Sequence, residues 1–210
     1  MPEVVELPED NLFNVFNIIL LENKHRLVKQ LKKCYQPNVH GDKTWFSSYL
    51  IMDYLQTHNI LKRNSQVLEL GCGWGATSVY CAKNGAKRVV GLDIDDNVFP
   101  YLDVHATLND VKVETINKSY EKLTANYLAD FNLLLGADIC FWEELTPMIG
   151  KMIRRAFKSG KKRVIVADPG RQPFLDLAEY CKPFAKVDMS EWYVCDPEYY
   201  DGYILDLQPR

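Results

Sequence analysis

The sequence holds no Cys-x-x-Cys pair and no Cys/His spacing that would build a tetrahedral zinc site, so a metal centre is not expected. Its six cysteines, at 34, 72, 81, 140, 181 and 195, read as small buried thiols in a reducing cytoplasm. Also missing is a run of about twenty apolar residues that would span a bilayer. The longest greasy stretch, FNVFNIILLENKHRLV, is broken by Asn14 and Asn17 and then by Glu22, Asn23 and Lys24. Positive charge is in short supply as well. The formal net charge is −3, and the basic pairs and triplets Lys32-Lys33, Arg154-Arg155 and Lys161-Lys162-Arg163 are short and scattered. No field of the kind that captures phosphate backbones results, which argues against nucleic acid as a partner. The opening MPEVVELPED is acidic rather than basic, which argues against a signal peptide. Together these absences lead to the expectation of a cytoplasmic monomer with no membrane attachment. Internal repeats and low-complexity tracts are absent too, and 210 residues fit one domain with one active-site crevice.

What is present is an alternation of element types. Residues 11–33 carry helical character, opening after Pro8-Glu9-Asp10 as a cap and closing in Lys29, Lys32 and Lys33, which suit the negative end of a helix dipole. A loop, CYQPNVHGD, and a second helix at about 46–58 precede the polar turn KRNSQ. From there the pattern predicts strand 66–71, helix 76–84, strand 87–93, helix 96–108 and strand 111–116. A loop with a short helix follows, then strand 131–136, helix 143–158, strand 161–167 and helix 172–181. Runs such as FNLLLGA and RVIVAD are apolar on consecutive positions, as expected of parallel strands covered on both faces. The last thirty residues offer two extended segments with no helix between them, hence an antiparallel pair. The fold class is therefore α/β: a doubly wound, Rossmann-like sheet of seven strands, mostly parallel, with the final strand inserted antiparallel and helices on both faces.

The apolar run VLELGCGWGATS ends in alternating glycines. Glycine belongs where a backbone turns sharply after a strand and where it approaches a ligand more closely than a Cβ permits, and Gly71 and Gly73 meet both demands. Two cofactor chemistries use such a loop. The spacing Gly71-x-Gly73-x-x-Ala76, with Asp93 ending the next strand, satisfies the nicotinamide dinucleotide fingerprint. Against that reading, Glu69 sits two residues before the first glycine, where a carboxylate favours a cation and would repel a pyrophosphate. About sixty-five residues also precede the strand, and the closing hairpin is foreign to the all-parallel dinucleotide sheet.

At this point the chain resembles a known family, the class I, seven-β-strand S-adenosylmethionine-dependent methyltransferases. VLELGCGWG matches their first motif and VVGLDID their second, and the likeness covers about residues 40–210. The segments DKTWFSSYLIMDYL, LLLGADICFWEEL and RVIVADPGRQPF look like the branch containing protein-lysine methyltransferases. The resemblance implies a division into an N-terminal helical extension, 1–40, and a methyltransferase domain, 41–210. It implies S-adenosylmethionine as cofactor, with S-adenosylhomocysteine as product. It places the ribose hydroxyls on Asp93; Asp95 is the nearby rival, read by preference as a solvated acid at the start of the next helix together with Asp96. Glu69, Gly71 and Gly73 would hold the methionine portion, Ala137 would lie beside it, Tyr120 against adenine, and Trp45 close to the cofactor or in the core. Asp138-Ile139-Cys140-Phe141 matches the Asp-x-x-Tyr/Phe motif of the branch at the carboxyl end of a central strand, with phenylalanine where many relatives have tyrosine.

Methyl transfer from a sulfonium is an in-line displacement that needs orientation and dryness rather than a metal or a covalent nucleophile. The catalytic candidates are accordingly Asp138, to orient an amine, and Phe141 and Trp142, as an aromatic wall around the incoming nucleophile. Arg171, in Asp168-Pro169-Gly170-Arg171, either clamps a substrate carboxylate or pairs with a local acid. The expected acceptor is a lysine side chain of a protein; the rivals are a small amine or N-heterocycle, an NAD-dependent oxidoreductase, and a non-catalytic interaction module.

Overall fold

The computed structural model of the chain describes residues 5–6 and 11–210 apart from 39, 42 and 197. Its centre is a sheet of seven strands. Five run parallel: β4 (Gln66–Leu70), β5 (Arg88–Asp93), β6 (Glu114–Asn117), β7 (Leu133–Ala137) and β8 (Arg163–Asp168). Two long antiparallel strands, β9 (Ala185–Val194) and β10 (Tyr200–Pro209), complete it in the order β6-β5-β4-β7-β8-β10-β9. The last strand is thus inserted between β8 and β9, antiparallel to both, as the pattern at the end of the sequence indicates.

Consecutive apolar residues in each central strand serve opposite faces. Val67, Val89, Leu133, Ile165 and Ile204 pack on one side with α2 (Ser47–Thr57), α3 (Ala76–Lys83) and α4 (Phe99–Leu108). Leu68, Val90, Leu134, Val164 and Leu205 pack on the other with α5 (Ala125–Ala129), α6 (Leu145–Lys158) and α7 (Gln172–Cys181). The chain winds outward from β4 through β5 to β6, then returns to the centre and winds the other way through β7 to β8. Ligands of open α/β sheets sit at such a reversal, outside the carboxyl ends of the two central strands. Here those ends are Gly71, after β4, and Ala137, closing β7.

The N-terminal segment corrects the sequence reading. Instead of one helix over 11–33, Leu12–Val15 (β2) and Ile18–Leu21 (β3) form an antiparallel hairpin, with Val5–Glu6 (β1) on its outer side, and only Arg26–Cys34 (α1) is helical. Phe16 and Asn17 make the turn with φ of 52° and 60°, the two-residue left-handed geometry that matches the twist of paired strands. The outer edge of β3 is closed by side chains from α4. Asn109 Oδ1 accepts from the Ile19 N–H at 2.7 Å, its amide donates to the Ile19 carbonyl at 2.8 Å, and His105 Nε2 accepts from the Leu21 N–H at 3.0 Å. These partners lie eighty or more residues away, so no local pattern contains them. The expected cap Pro8-Glu9-Asp10 lies outside the described residues. A second correction concerns the thiols: Cys72, Cys81, Cys140 and Cys181 are buried as expected, but Cys34 and Cys195 are exposed.

Candidate functional site

Two neighbouring cavities open at the carboxyl edge of the sheet. The larger, about 210 Å³, is bounded by the loops after β4, β5, β6 and β7 and by His40, Gly41 and Trp45. The smaller, about 20 Å³, lies among Thr44, Glu69, Gly75 and Ala76. Trp45, Gly71, Gly73 and Ala137 line both, so the two lie side by side.

The glycine loop shapes its floor. Gly71 and Gly73 have φ of +63° and +50°, in the left-handed region where a side chain is strained. A Cβ on Gly71 would lie 3.0 Å from Ile139 Cγ2 and 3.2 Å from the Tyr120 hydroxyl. A Cβ on Gly73 would meet nothing within 4 Å, and the residue lines both cavities. The loop is pinned by Asp93, whose Oδ2 accepts from the Gly73 N–H and whose Oδ1 accepts from the Asp95 N–H, both at 3.0 Å. Backbone N–H groups of the two loops thus take part of the acceptor capacity of that carboxylate, and the residue lines the larger cavity. Asp95 itself caps the turn that leads into α4, accepting from the Asn97 N–H and from Asn38. Of the two acids weighed for the ribose, Asp93 lines the cavity and Asp95 serves as the cap.

Glu69 is 2% exposed and accepts from the Ser78 N–H at 2.9 Å and from the Ser78 hydroxyl. Burial pushes its carboxyl up to about 7, against the opposing pull of the Ser78 bonds. A carboxylate poised in this way ionises fully once a cation comes beside it. In the same small cavity the Thr44 hydroxyl oxygen is buried without a hydrogen-bond partner among the described residues. Tyr120, Ser119, Ile94 and Lys118 line the far side of the larger cavity.

Asp138 follows β7 with a left-handed φ of 56° and is 3% exposed. Its Oδ1 accepts from Arg171 Nη2 at 2.6 Å, and the same guanidinium donates twice to the fully buried Asp168, at 3.1 and 2.6 Å to Oδ2. Arg171 thus pairs through Nε and Nη2 with two carboxylates of its own chain, the local ion-pair arrangement of the two weighed from the sequence. Burial raises the Asp138 carboxyl above its ordinary value, while hydrogen bonding from Ser47 and the charge of Arg171 pull it down.

The mouth is aromatic. Phe141 stacks on His40 at 4.7 Å between ring centroids, meets the edge of Trp45 at 5.9 Å and lies 4.6 Å from the Arg171 guanidinium. Trp142 is 49% exposed, 5.8 Å from His40 and 6.1 Å from Phe141. Trp45 is half-buried, and its indole N–H donates to the His40 carbonyl at 2.8 Å. All ten residues singled out from the sequence, Trp45, Glu69, Gly71, Gly73, Asp93, Tyr120, Ala137, Asp138, Phe141 and Trp142, border one or the other of these two neighbouring cavities. Sequence reasoning missed His40, Thr44, Lys118, Ile139 and Met148. His40 and Thr44 lie within five residues of Trp45, which is the one signal that pointed to them. Among the described residues no group of acidic, His or Cys side chains is placed to hold a metal, and no helix is long and apolar enough to cross a membrane.

With this geometry in place, a family model described as a methyltransferase domain matches residues 67–172. The electron transfer flavoprotein beta subunit lysine methyltransferase of Xenopus laevis is 26% identical over 149 residues, covering 70% of this chain and 60% of that protein. The corresponding protein of Mus musculus is 30% identical over 134 residues, covering 62% of this chain and 50% of its own length. The chain thus spans between half and three-fifths of these relatives. Among solved structures, magnesium protoporphyrin IX methyltransferase from Synechocystis PCC 6803 with bound SAM superposes with a TM-score of 0.58 at 13% identity. The match covers 90% of this chain and 93% of that one, a likeness of fold.

Proposed function

The chain belongs to the methyltransferase-domain family in its class I form, and from that premise we propose that it methylates a nitrogen nucleophile, the side-chain amine of a lysine in a protein. S-adenosylmethionine, when bound, supplies an electrophilic methyl group on a positive sulfonium and leaves as S-adenosylhomocysteine. The residues present fit that molecule. Thr44 offers an unpartnered buried hydroxyl, Glu69 a buried carboxylate poised for a cation, and Gly73 a space that a side chain would fill. Asp93 keeps acceptor capacity for a ribose diol after its loop bonds. Tyr120, Ile94 and Ile139 offer an apolar slot for a planar base.

The chain's own contribution to the reaction is orientation and dryness. A lysine ammonium has to lose its proton before its nitrogen can attack, at a cost of about 4–5 kcal/mol at neutral pH. His40, Trp45, Phe141 and Trp142 would shield the entering amine from water, which favours its neutral form, so the Nζ proton leaves to solvent at the mouth. Asp138, its Oδ1 fixed by Arg171, would accept a hydrogen bond from the neutral amine and turn the lone pair inward. The observation that carries this reading is the larger cavity itself, which Asp93 and Asp138 line together with four aromatic rings, and beside which Glu69 lines a second, smaller one.

A methyl acceptor that is a small amine or N-heterocycle would use the same rings, and the test separates the two. Tritiated S-adenosylmethionine is incubated with the protein and an extract of cells lacking its gene, and labelled macromolecules are parted from small molecules. Label in protein, recovered as methyl-lysine after hydrolysis, is expected. Label confined to the small-molecule fraction would remove the lysine acceptor.

A further inference from the structure

Helix α6 joins two surfaces in one stripe. Leu145 and Met148 line the larger cavity, and Met148 then borders a shallow groove shared with Glu121, Lys151, Arg154, Arg155 and Lys158. The basic positions are spaced by three and four, so their side chains stack along one helix face. Arg155 is committed to the scaffold, donating to the carbonyls of Glu121 at 2.8 Å and Tyr120 at 3.0 Å. Lys151, Arg154 and Lys158 are exposed and form no ion pair among the described residues; Arg154 lies over the Phe184 ring at 5.8 Å. Four like charges along about 10 Å of helix repel one another, and they do so in a chain whose net charge is −3.

We propose that this groove docks an acidic segment of the protein substrate, a few residues from the lysine that enters the aromatic mouth; the inference rests on the lysine reading above. The spacing follows from the helix. Leu145 to Lys151 is about 9 Å along the axis and Leu145 to Lys158 about 20 Å. A peptide in extended form advances about 3.3 Å per residue, so the acidic positions fall about three to six residues from the acceptor. Nucleic acid fits less well. The cationic track is short beside the six to ten phosphate contacts typical of such binding, and among the described residues no aromatic ring lines it for base stacking.

The test uses the whole chain and two fluorescent peptides, each with a single lysine. One carries glutamates about three to six positions away, the other glutamines. The glutamate peptide is expected to bind about tenfold more tightly at low salt, the yield of several exposed charge pairs together. That advantage should vanish at high salt and in the triple variant Lys151→Glu, Arg154→Glu, Lys158→Glu, with S-adenosylhomocysteine affinity and melting temperature unchanged. Should the triple variant fail to fold, Lys151→Gln and Lys158→Gln alone are each expected to lose about twofold to threefold. Equal binding of the two peptides, or an advantage that survives charge reversal, overturns the proposal; so does a single-stranded oligonucleotide that displaces the glutamate peptide at lower concentration than unlabelled peptide does. Charge-dependent binding with no methyl-lysine formed keeps the docking groove and removes the lysine acceptor. Methyl-lysine formed equally well by the triple variant removes the groove and keeps the acceptor.

Discussion

Glu69 makes the smaller cavity sensitive to pH. Burial raises its carboxyl from 4.5 to about 7, which corresponds to about 3 kcal/mol between the two protonation states. The folded chain holds this proton more tightly than the unfolded chain does. The group therefore contributes stability that is complete below about 4.5 and is lost as pH rises through about 7. Glu69→Gln reproduces the protonated form, with an oxygen still placed to accept from Ser78. Without cofactor, the variant and the original chain should unfold at similar denaturant concentrations at pH 4.5, and the variant should be more stable by up to about 3 kcal/mol at pH 8. His105 titrates in the opposite sense over an overlapping window, so the difference between the two proteins is the quantity to follow. Binding inverts the ranking. A ligand ammonium beside Glu69 favours the ionised form, so affinity for S-adenosylhomocysteine should weaken as pH falls below about 7 in the original chain and stay weak and flat in Glu69→Gln. Parallel stability curves for the two proteins from pH 4.5 to 8, together with the same pH dependence of binding, would rule out Glu69 as the titrating group.

Two further outcomes follow from the same geometry. Asp138→Ala leaves Arg171 paired with Asp168, so the fold should persist while turnover falls by about two orders of magnitude and S-adenosylhomocysteine affinity, measured calorimetrically, changes less than twofold; equal losses in both would make Asp138 a support of the cofactor pocket. Burial lowers His105 to about 4, and its neutral ring bridges the Trp74 carbonyl and the Leu21 N–H, so stability present above about 6.5 should be lost as pH falls toward 4, by up to about 3 kcal/mol, and His105→Asn should flatten that limb of the denaturation curve.

The central sheet was legible because its signals are local. Consecutive apolar residues in β4, β7 and β8 announce strands covered twice, and the missing helix between β9 and β10 announces the antiparallel end. The glycine loop was legible for the same reason, since Glu69, Gly71 and Gly73 lie within five positions of one another. What escaped notice depends on distant partners. The run Ile18–Leu21 suits a buried helix as well as a strand, and the choice was made by Asn109 and His105, which bond its free edge. Arg171 was ambiguous until the sheet set Asp138 and Asp168 on neighbouring strand ends, where one guanidinium reaches both. His40 joined the mouth through a stacking contact with Phe141 across about a hundred residues of sequence. The cations of α6 were visible as residues, but Arg154-Arg155 read alone as a doublet hid their spacing with Lys151 and Lys158.

The insertion of β10 between β8 and β9 also governs the order in which the molecule can be completed. A ribosome delivers β8 well before the strand that will sit beside it, so the growing chain carries an unfilled slot flanked by exposed backbone amides and carbonyls until β10 emerges. Loss of 200–209 would strip both neighbours of their hydrogen bonds at once, leaving β9 with no place in the sheet and Asp168 on a frayed border beneath the aromatic mouth.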